Sequence, residues 1–437
     1  MMPRTIRLAT AQSPSLSTVT ETLAALRTTA LTAARSDVAL ILFPEAYLGH
    51  YPRQCTFGSS IGSRTAMGRE QYLSYYHGAV DLGDTQAGDV EAWARRQLPT
   101  PEGSDVRGDG TREELERVAA ETGLVIVSGV VERAGSSLFC SIVCVDPIKG
   151  MLPNKRRKVM PTGTERLVWA QGDPATLKAM RVTVKGVEVT IGMAVCWENF
   201  MPLLRYALYK QGVDIWLAPT ADARDGWQAL MRTIAMEGRA WVVSSNQVVR
   251  QSQLPSWVFQ SGETEGKRHQ EHIPDPHSIS DETSHQLQRS QSRRKSSILR
   301  TEEGHEICIG MEENVADFEQ AIAETDDQAI EDQPESNQIF PAHKAKVKPD
   351  PYLTNSTRYG TKATEEDAFV CRGGSLIVSP MGDVVQGPLW EAEGLLIWDA
   401  DMDDCVRGKL DFDAVGHYAR GDAFELRVRG LDLVPPP

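Results

Sequence analysis

An α/β layered fold is what this 437-residue sequence predicts. Short apolar runs of strand length alternate with segments whose apolar residues recur at the helical period. Most of the strand runs are apolar throughout, as in strands covered on both faces. Composition agrees, since 41% hydrophobic and 24% charged residues are ordinary for a soluble globular chain with a large core.

Thr5 to Ala11 reads as a first strand, and Val19 to Arg35 as a helix with Leu23, Leu26, Ala30 and Leu31 on one face. Val38 to Phe43, VALILF, is a second buried strand that runs into Pro44 and Glu45. A carboxylate at the carboxyl end of a buried strand stands where open α/β sheets place their sites, although a salt-bridged or solvated loop acid fits the same pattern. Tyr47 to Gly83 is a long polar, aromatic and glycine-rich connection, a length that is uncommon and often functional. A helix over Thr111 to Thr122 precedes a hairpin of Leu124 to Val131 and Leu138 to Val145, in which Cys140 and Cys144 face one side and pack. The basic run Lys155 to Lys158 reads as a solvated face.

Val187 to Gly212, VEVTIGMAVCWENFMPLLRYALYKQG, is a buried strand running into a helix with one thiol, Cys196, at the join. Pro202 suits a first helical turn. A side chain there stands near the positive end of the helix dipole, and that field favours thiolate over thiol, so Cys196 is a candidate nucleophile. The competing reading is a small buried hydrophobe. Further strands follow at Asp214 to Pro219, Trp241 to Val248, Ser375 to Ser379 and Gly394 to Asp399, with a helix over Gly226 to Arg239.

The net charge of -14 argues against nucleic acid and an anionic membrane surface as partners. It is uneven. Residues 251–370 hold 23 acidic and 12 basic residues, against 37 and 34 elsewhere, and six of the nine histidines. This acidic, Ser- and Gln-rich stretch reads as a largely disordered insertion, with one helix over Met311 to Asp332 and no ligand spacing for a metal. The domain reading is therefore a catalytic domain of residues 1–250 and 371–430, the insertion at 251–370, and a short proline-rich tail at 431–437. Seven cysteines without a CxxC pair look like reduced thiols. No apolar window approaches 18 residues, so the expected setting is soluble and cytoplasmic.

Three separated segments resemble the nitrilase family of carbon–nitrogen hydrolases: FPEAYLGHYP at Phe43 to Pro52, RKVMPTGTERLVWAQGD at Arg157 to Asp173, and CWENFMPLLRYAL at Cys196 to Leu208. The resemblance implies a four-layer α-β-β-α sandwich. It also implies a Glu-Lys-Cys triad of Glu45, Lys158 and Cys196, with Glu165 as a second glutamate. Tyr51, Trp169 and Trp197 are expected at the substrate. His50, where the family commonly has glycine, reads as a solvent-exposed loop residue.

Attack on a nitrile carbon needs a thiolate, a nearby base and a cation for the developing nitrogen charge, which are the roles expected of Cys196, Glu45 and Lys158. All three are side chains, so no cofactor or metal is implied. The expected partner is a small-molecule nitrile, and the expected assembly a homodimer or larger homo-oligomer. A cyanide hydratase or amidase-type member, and a non-catalytic scaffold, are the competing readings. A papain-like hydrolase needs a histidine partner, and only His50, His77 and His417 lie outside the insertion.

Overall fold

The computed structural model describes residues 4–259, 296–300, 306–310 and 367–437. The expected helix at Met311 to Asp332 and the six insertion histidines lie outside the described residues. The chain divides into Met1–Lys267 with Thr361–Pro437, and Arg268–Gly360. In the second unit Ser296–Arg300 and Glu306–Gly310 pair as an antiparallel ladder, which composition did not predict.

The first unit is built on two seven-stranded sheets. In one, Thr5–Gln12 lies between the antiparallel Gly394–Asp401 and the parallel Leu40–Leu42, which pairs in turn with Val125–Ala134. Ser137–Asp146 continues that sheet as the hairpin partner of Val125–Ala134, and the two-residue strand Arg156–Arg157 pairs with it. In the other, Val187–Met193, Ile215–Thr220 and Trp241–Asn246 run parallel. Met180–Val184 flanks Val187–Met193 on one side, and Phe369–Val378 pairs with Trp241–Asn246 on the other.

One apolar core holds residues of both sheets, among them Leu8, Leu40, Val127, Ile191, Leu217 and Ile377, so the sheets pack face to face. Polar contacts pin that packing. Thr10 Oγ1 donates to the Ser244 carbonyl at 2.9 Å, and Trp241 Nε1 donates to the Asp401 carbonyl at 3.0 Å. The helices Val19–Arg35 and Thr111–Thr122 bury Leu23, Leu26, Leu115 and Val118 against the outer face of the first sheet. Pro202–Tyr209 and Asp225–Gly238 do the same for the second with Leu204, Leu208, Met231 and Ile234. The result is the expected α-β-β-α sandwich.

Local chemistry explains the helix starts. Thr18 and Glu21 form a reciprocal capping box at 3.1 Å each way, which fixes the entry to Val19–Arg35. Ala33 replaces Leu31 on its buried face. The connection Tyr47 to Gly83 contains a helix that periodicity did not predict, Ala66–His77, which buries Gly68, Gln71 and Tyr75. The basic run is a larger correction. Lys155, Arg156, Arg157 and Lys158 are all buried, because acids from other elements meet each cation.

Candidate active site

Glu45, Lys158, Glu165 and Cys196 come together at the edge where the parallel strands of the two sheets end. Glu45 follows Leu40–Leu42, and its backbone passes so close to Val125–Ala134 that only glycine fits opposite. A Cβ at Gly129 would lie 2.3 Å from the Pro44 carbonyl oxygen. Gly172 does the same for the lysine segment, where a Cβ would lie 2.2 Å from the Arg157 carbonyl oxygen. Lys158 is held on both sides: its N–H donates to the Cys140 carbonyl at 2.7 Å, and its carbonyl accepts from Gly172 at 2.8 Å.

Lys158 Nζ lies 2.8 Å from Glu45 Oε1, and 2.8 and 3.0 Å from the two oxygens of Glu165. Glu165 is fixed further by the Thr162 N–H at 2.7 Å and the Tyr51 hydroxyl at 2.9 Å. The Cys140 thiol donates to Glu45 Oε1 at 3.5 Å. Glu45 Oε2 is buried without a hydrogen-bond partner among the described residues.

Cys196 has a left-handed backbone, φ +49°, which is strained for a residue with a side chain. Asn199 stabilises that bend by donating from Nδ2 to the Cys196 and Ala194 carbonyls at 2.8 and 2.9 Å, while Trp216 Nε1 donates to its Oδ1. The Thr220 hydroxyl donates to Cys196 Sγ at 3.2 Å.

Electrostatics correct one expectation. Cys196 opens a 3-10 turn, Cys196–Phe200, and the α-helix begins only at Pro202, so no α-helical dipole starts at the thiol. Burial, and next the Glu45 carboxylate, push the Cys196 thiol up from its ordinary value. Burial likewise raises the Glu45 carboxyl, with Lys158 opposing and Glu165 adding to the rise. For Lys158 burial works against the ammonium, but Glu45 and its other anionic neighbours outweigh it and hold the pKa well above the usual lysine range. Burial thus favours the thiol form of Cys196 and the neutral form of Glu45, while the anionic neighbours of Lys158 favour its ammonium.

A cleft of about 670 Å³ opens above Cys196. Tyr51, Glu165, Trp197, Asp222, Arg224 and Cys371 are among the residues that line it. Trp197 Nε1 donates to Asp222 at 2.9 Å and its ring lies under the Arg224 guanidinium, so the rim is a fixed aromatic and ionic wall. Trp169 stands elsewhere. It is buried behind the cluster with its ring centroid 5.7 Å from Lys158 Nζ and its Nε1 bonded to the Tyr75 hydroxyl. It touches the site through Lys158 and Tyr51, not as cleft wall.

His50 is half-buried, with Nε2 enclosed and unpartnered among the described residues, and burial lowers its pKa. It is not the solvated loop histidine expected. Sequence reasoning missed Thr220 and Asp222. Their signal was position, since Thr220 ends, and Asp222 follows, a buried parallel strand next to the cysteine strand.

Two stacked sheets under paired helices, with a thiol, a carboxylate and an ammonium buried at one edge, mark a layered hydrolase. A model of the carbon-nitrogen hydrolase family matches residues 7–269. A bifunctional nitrilase/nitrile hydratase of Nicotiana tabacum is 32% identical over 406 residues, covering 92% of this chain and 80% of that one. An arylacetonitrilase of Trametes versicolor is 29% identical over 92% of this chain and 89% of its own. An aliphatic nitrilase of Sinorhizobium fredii is 31% identical over 91% and 86%. The chain belongs to the carbon–nitrogen hydrolase family, in its nitrilase branch. It is a hydrolase of carbon–nitrogen bonds.

Proposed function

We propose that this hydrolase converts an organic nitrile, with two waters, into the carboxylic acid and ammonia, with Cys196 as nucleophile, Glu45 as base and Lys158 as charge stabiliser. The observation that carries the reading is the contact of Lys158 Nζ with Glu45 at 2.8 Å beside a buried thiol at the floor of a cleft. Because the thiol's pKa is raised, Glu45 accepts the thiol proton as sulfur bonds to the nitrile carbon. The nitrogen gains negative charge, which the Lys158 ammonium stabilises, and takes up that proton to give a thioimidate. A first water adds to the thioimidate carbon, ammonia leaves, and a thioester remains. A second water, deprotonated by Glu45, cleaves the thioester, releases the acid and restores the thiol.

Glu165 keeps Lys158 in place, supported by its bonds to Thr162 and Tyr51. Tyr51 and Trp197 are proposed to contact substrate as cleft walls, and Trp169 to act from behind Lys158. No cofactor is required, because nucleophile, base and cation are all supplied by the chain.

Incubation with aromatic, arylaliphatic and aliphatic nitriles, cyanide and simple amides, followed by ammonia assay, tests the reading. Ammonia from a nitrile, abolished in Cys196→Ala, is expected; no turnover of any nitrile by folded protein removes it. The tobacco relative is named for both nitrilase and nitrile hydratase activity, so amide is measured beside acid. Formamide from cyanide as the sole product shifts the assignment to a hydratase. The reading includes a cytoplasmic homodimer or larger homo-oligomer, tested by fractionation and by sizing against the 48.2 kDa chain.

A further inference from the structure

We propose that Glu198 is a positioning residue that holds the segment carrying Lys158 against the turn carrying Cys196, and so sets the spacing of ammonium and thiol. Its kinetic consequence rests on the nitrilase reading above. Glu198 lies two residues after Cys196 and is fully buried. Its Oε1 accepts from the N–H groups of Val159 at 2.6 Å and Met160 at 3.3 Å, the two residues that follow Lys158. Its Oε2 accepts from the Val195 N–H at 2.8 Å, immediately before the nucleophile. Arg156, two residues before Lys158, donates to Glu198 Oε2 and to the carbonyl of Met193 at the end of the cysteine strand. One carboxylate thus ties both flanks of the lysine to both flanks of the thiol.

Stability alone does not call for this arrangement. Desolvating two charges offsets most of their attraction, and an apolar pair of similar volume commonly serves a fold as well. Arg156 Nε is left buried without a partner among the described residues, a further cost. What an apolar pair cannot do is bind three backbone N–H groups from two segments in one geometry. Glu198 is also absent from the walls of the cleft, so it has no route to substrate affinity.

The test is Glu198→Gln, whose amide NH₂ must face donors on one of the two segments. Displacement of reacting groups by about 1 Å costs on the order of 100-fold in rate, so kcat is expected to fall about 100-fold with KM within about threefold. A second readout needs no nitrile chemistry. The pH profile of Cys196 alkylation by iodoacetamide, located by peptide mass spectrometry, is expected to move upward by about one pH unit as the thiolate loses Lys158. Folded Glu198→Gln with wild-type kcat and a wild-type alkylation profile overturns the proposal. If the wild type turns over no nitrile, the functional reading fails, and the alkylation profile still decides the positioning role. If Glu198→Gln is insoluble, Arg156→Lys replaces it, because lysine lacks the guanidinium fork whose two nitrogens reach Met193 and Glu198 separately. A kcat about tenfold lower at unchanged KM, with the same upward shift, supports the clamp, and wild-type values of both overturn it.

Discussion

Thr220 shows how a single hydroxyl bears on the reaction. It is fully buried, and its bond to Cys196 Sγ at 3.2 Å opposes the burial and the Glu45 charge that push the thiol up. Hydrogen bonds to charged groups contribute about 1.5–3 kcal/mol, so Thr220→Val, which keeps the shape, is expected to lower kcat about tenfold or more with KM little changed. Steady-state kinetics on the best nitrile check this, and a wild-type kcat would show that the hydroxyl is structural. Cys196 was legible as a candidate nucleophile from its place at the end of a buried strand. Its state was not, because burial and the placing of Glu45 depend on contacts far apart in sequence. Trp169 illustrates the same limit, since nothing in RLVWAQ says that the indole turns behind Lys158 and bonds Tyr75.

Among the elements, helices with aliphatic stripes were readable, as Val19–Arg35 and Thr111–Thr122 show. Ala66–His77 was not, because it buries glycine, glutamine and tyrosine where a periodicity argument looks for aliphatics. The basic run failed for a different reason. Its partners Asp84, Glu132 and Glu198 come from three other segments, and spacing along the chain does not reveal them. Lys155 Nζ meets Glu132 at 2.6 Å and Arg157 meets it at 2.9 and 3.0 Å. Burial alone would raise that carboxyl, but Lys155 and Arg157 outweigh it and hold the pKa down to about 2.

A depressed folded pKa means that the pairing stabilises the protein fully above the unfolded carboxyl value of 4.5, and that this is lost as pH falls through about 2. Glu132→Gln leaves two buried cations short of a partner, so a loss of about 3–5 kcal/mol at pH 7 is expected. Its stability should also change less than that of the wild type as pH falls from 4.5. Urea midpoints at pH 7 and at acid pH measure both, and parallel pH dependences would refute the assignment.

For the whole molecule, the α/β layered class followed from alternating strand and helix patterns, and the two-sheet layer order from the family resemblance. The ends of residues 251–370 leave and return at neighbouring strands. Val249 pairs with Cys371, and the Gln251 N–H donates to the Ala368 carbonyl at 2.9 Å. A short loop can therefore close the gap, and loop closure changes only slowly with length. Replacing Gly262 to Glu365 by such a loop is expected to leave soluble protein that melts within about 3 °C of the wild type. Differential scanning calorimetry checks this, and loss of soluble protein would show that the segment packs.

The central claim is that sulfur 196 bonds covalently to the substrate carbon. A rapid quench of enzyme mixed with a turned-over nitrile, followed by peptide mass spectrometry, reads that bond directly. The account predicts a thioimidate or acyl adduct on the peptide containing Cys196 alone, formed and lost at rates compatible with turnover. An adduct on Cys371 or Cys140 instead, or ammonia release that persists in Cys196→Ala, would contradict it.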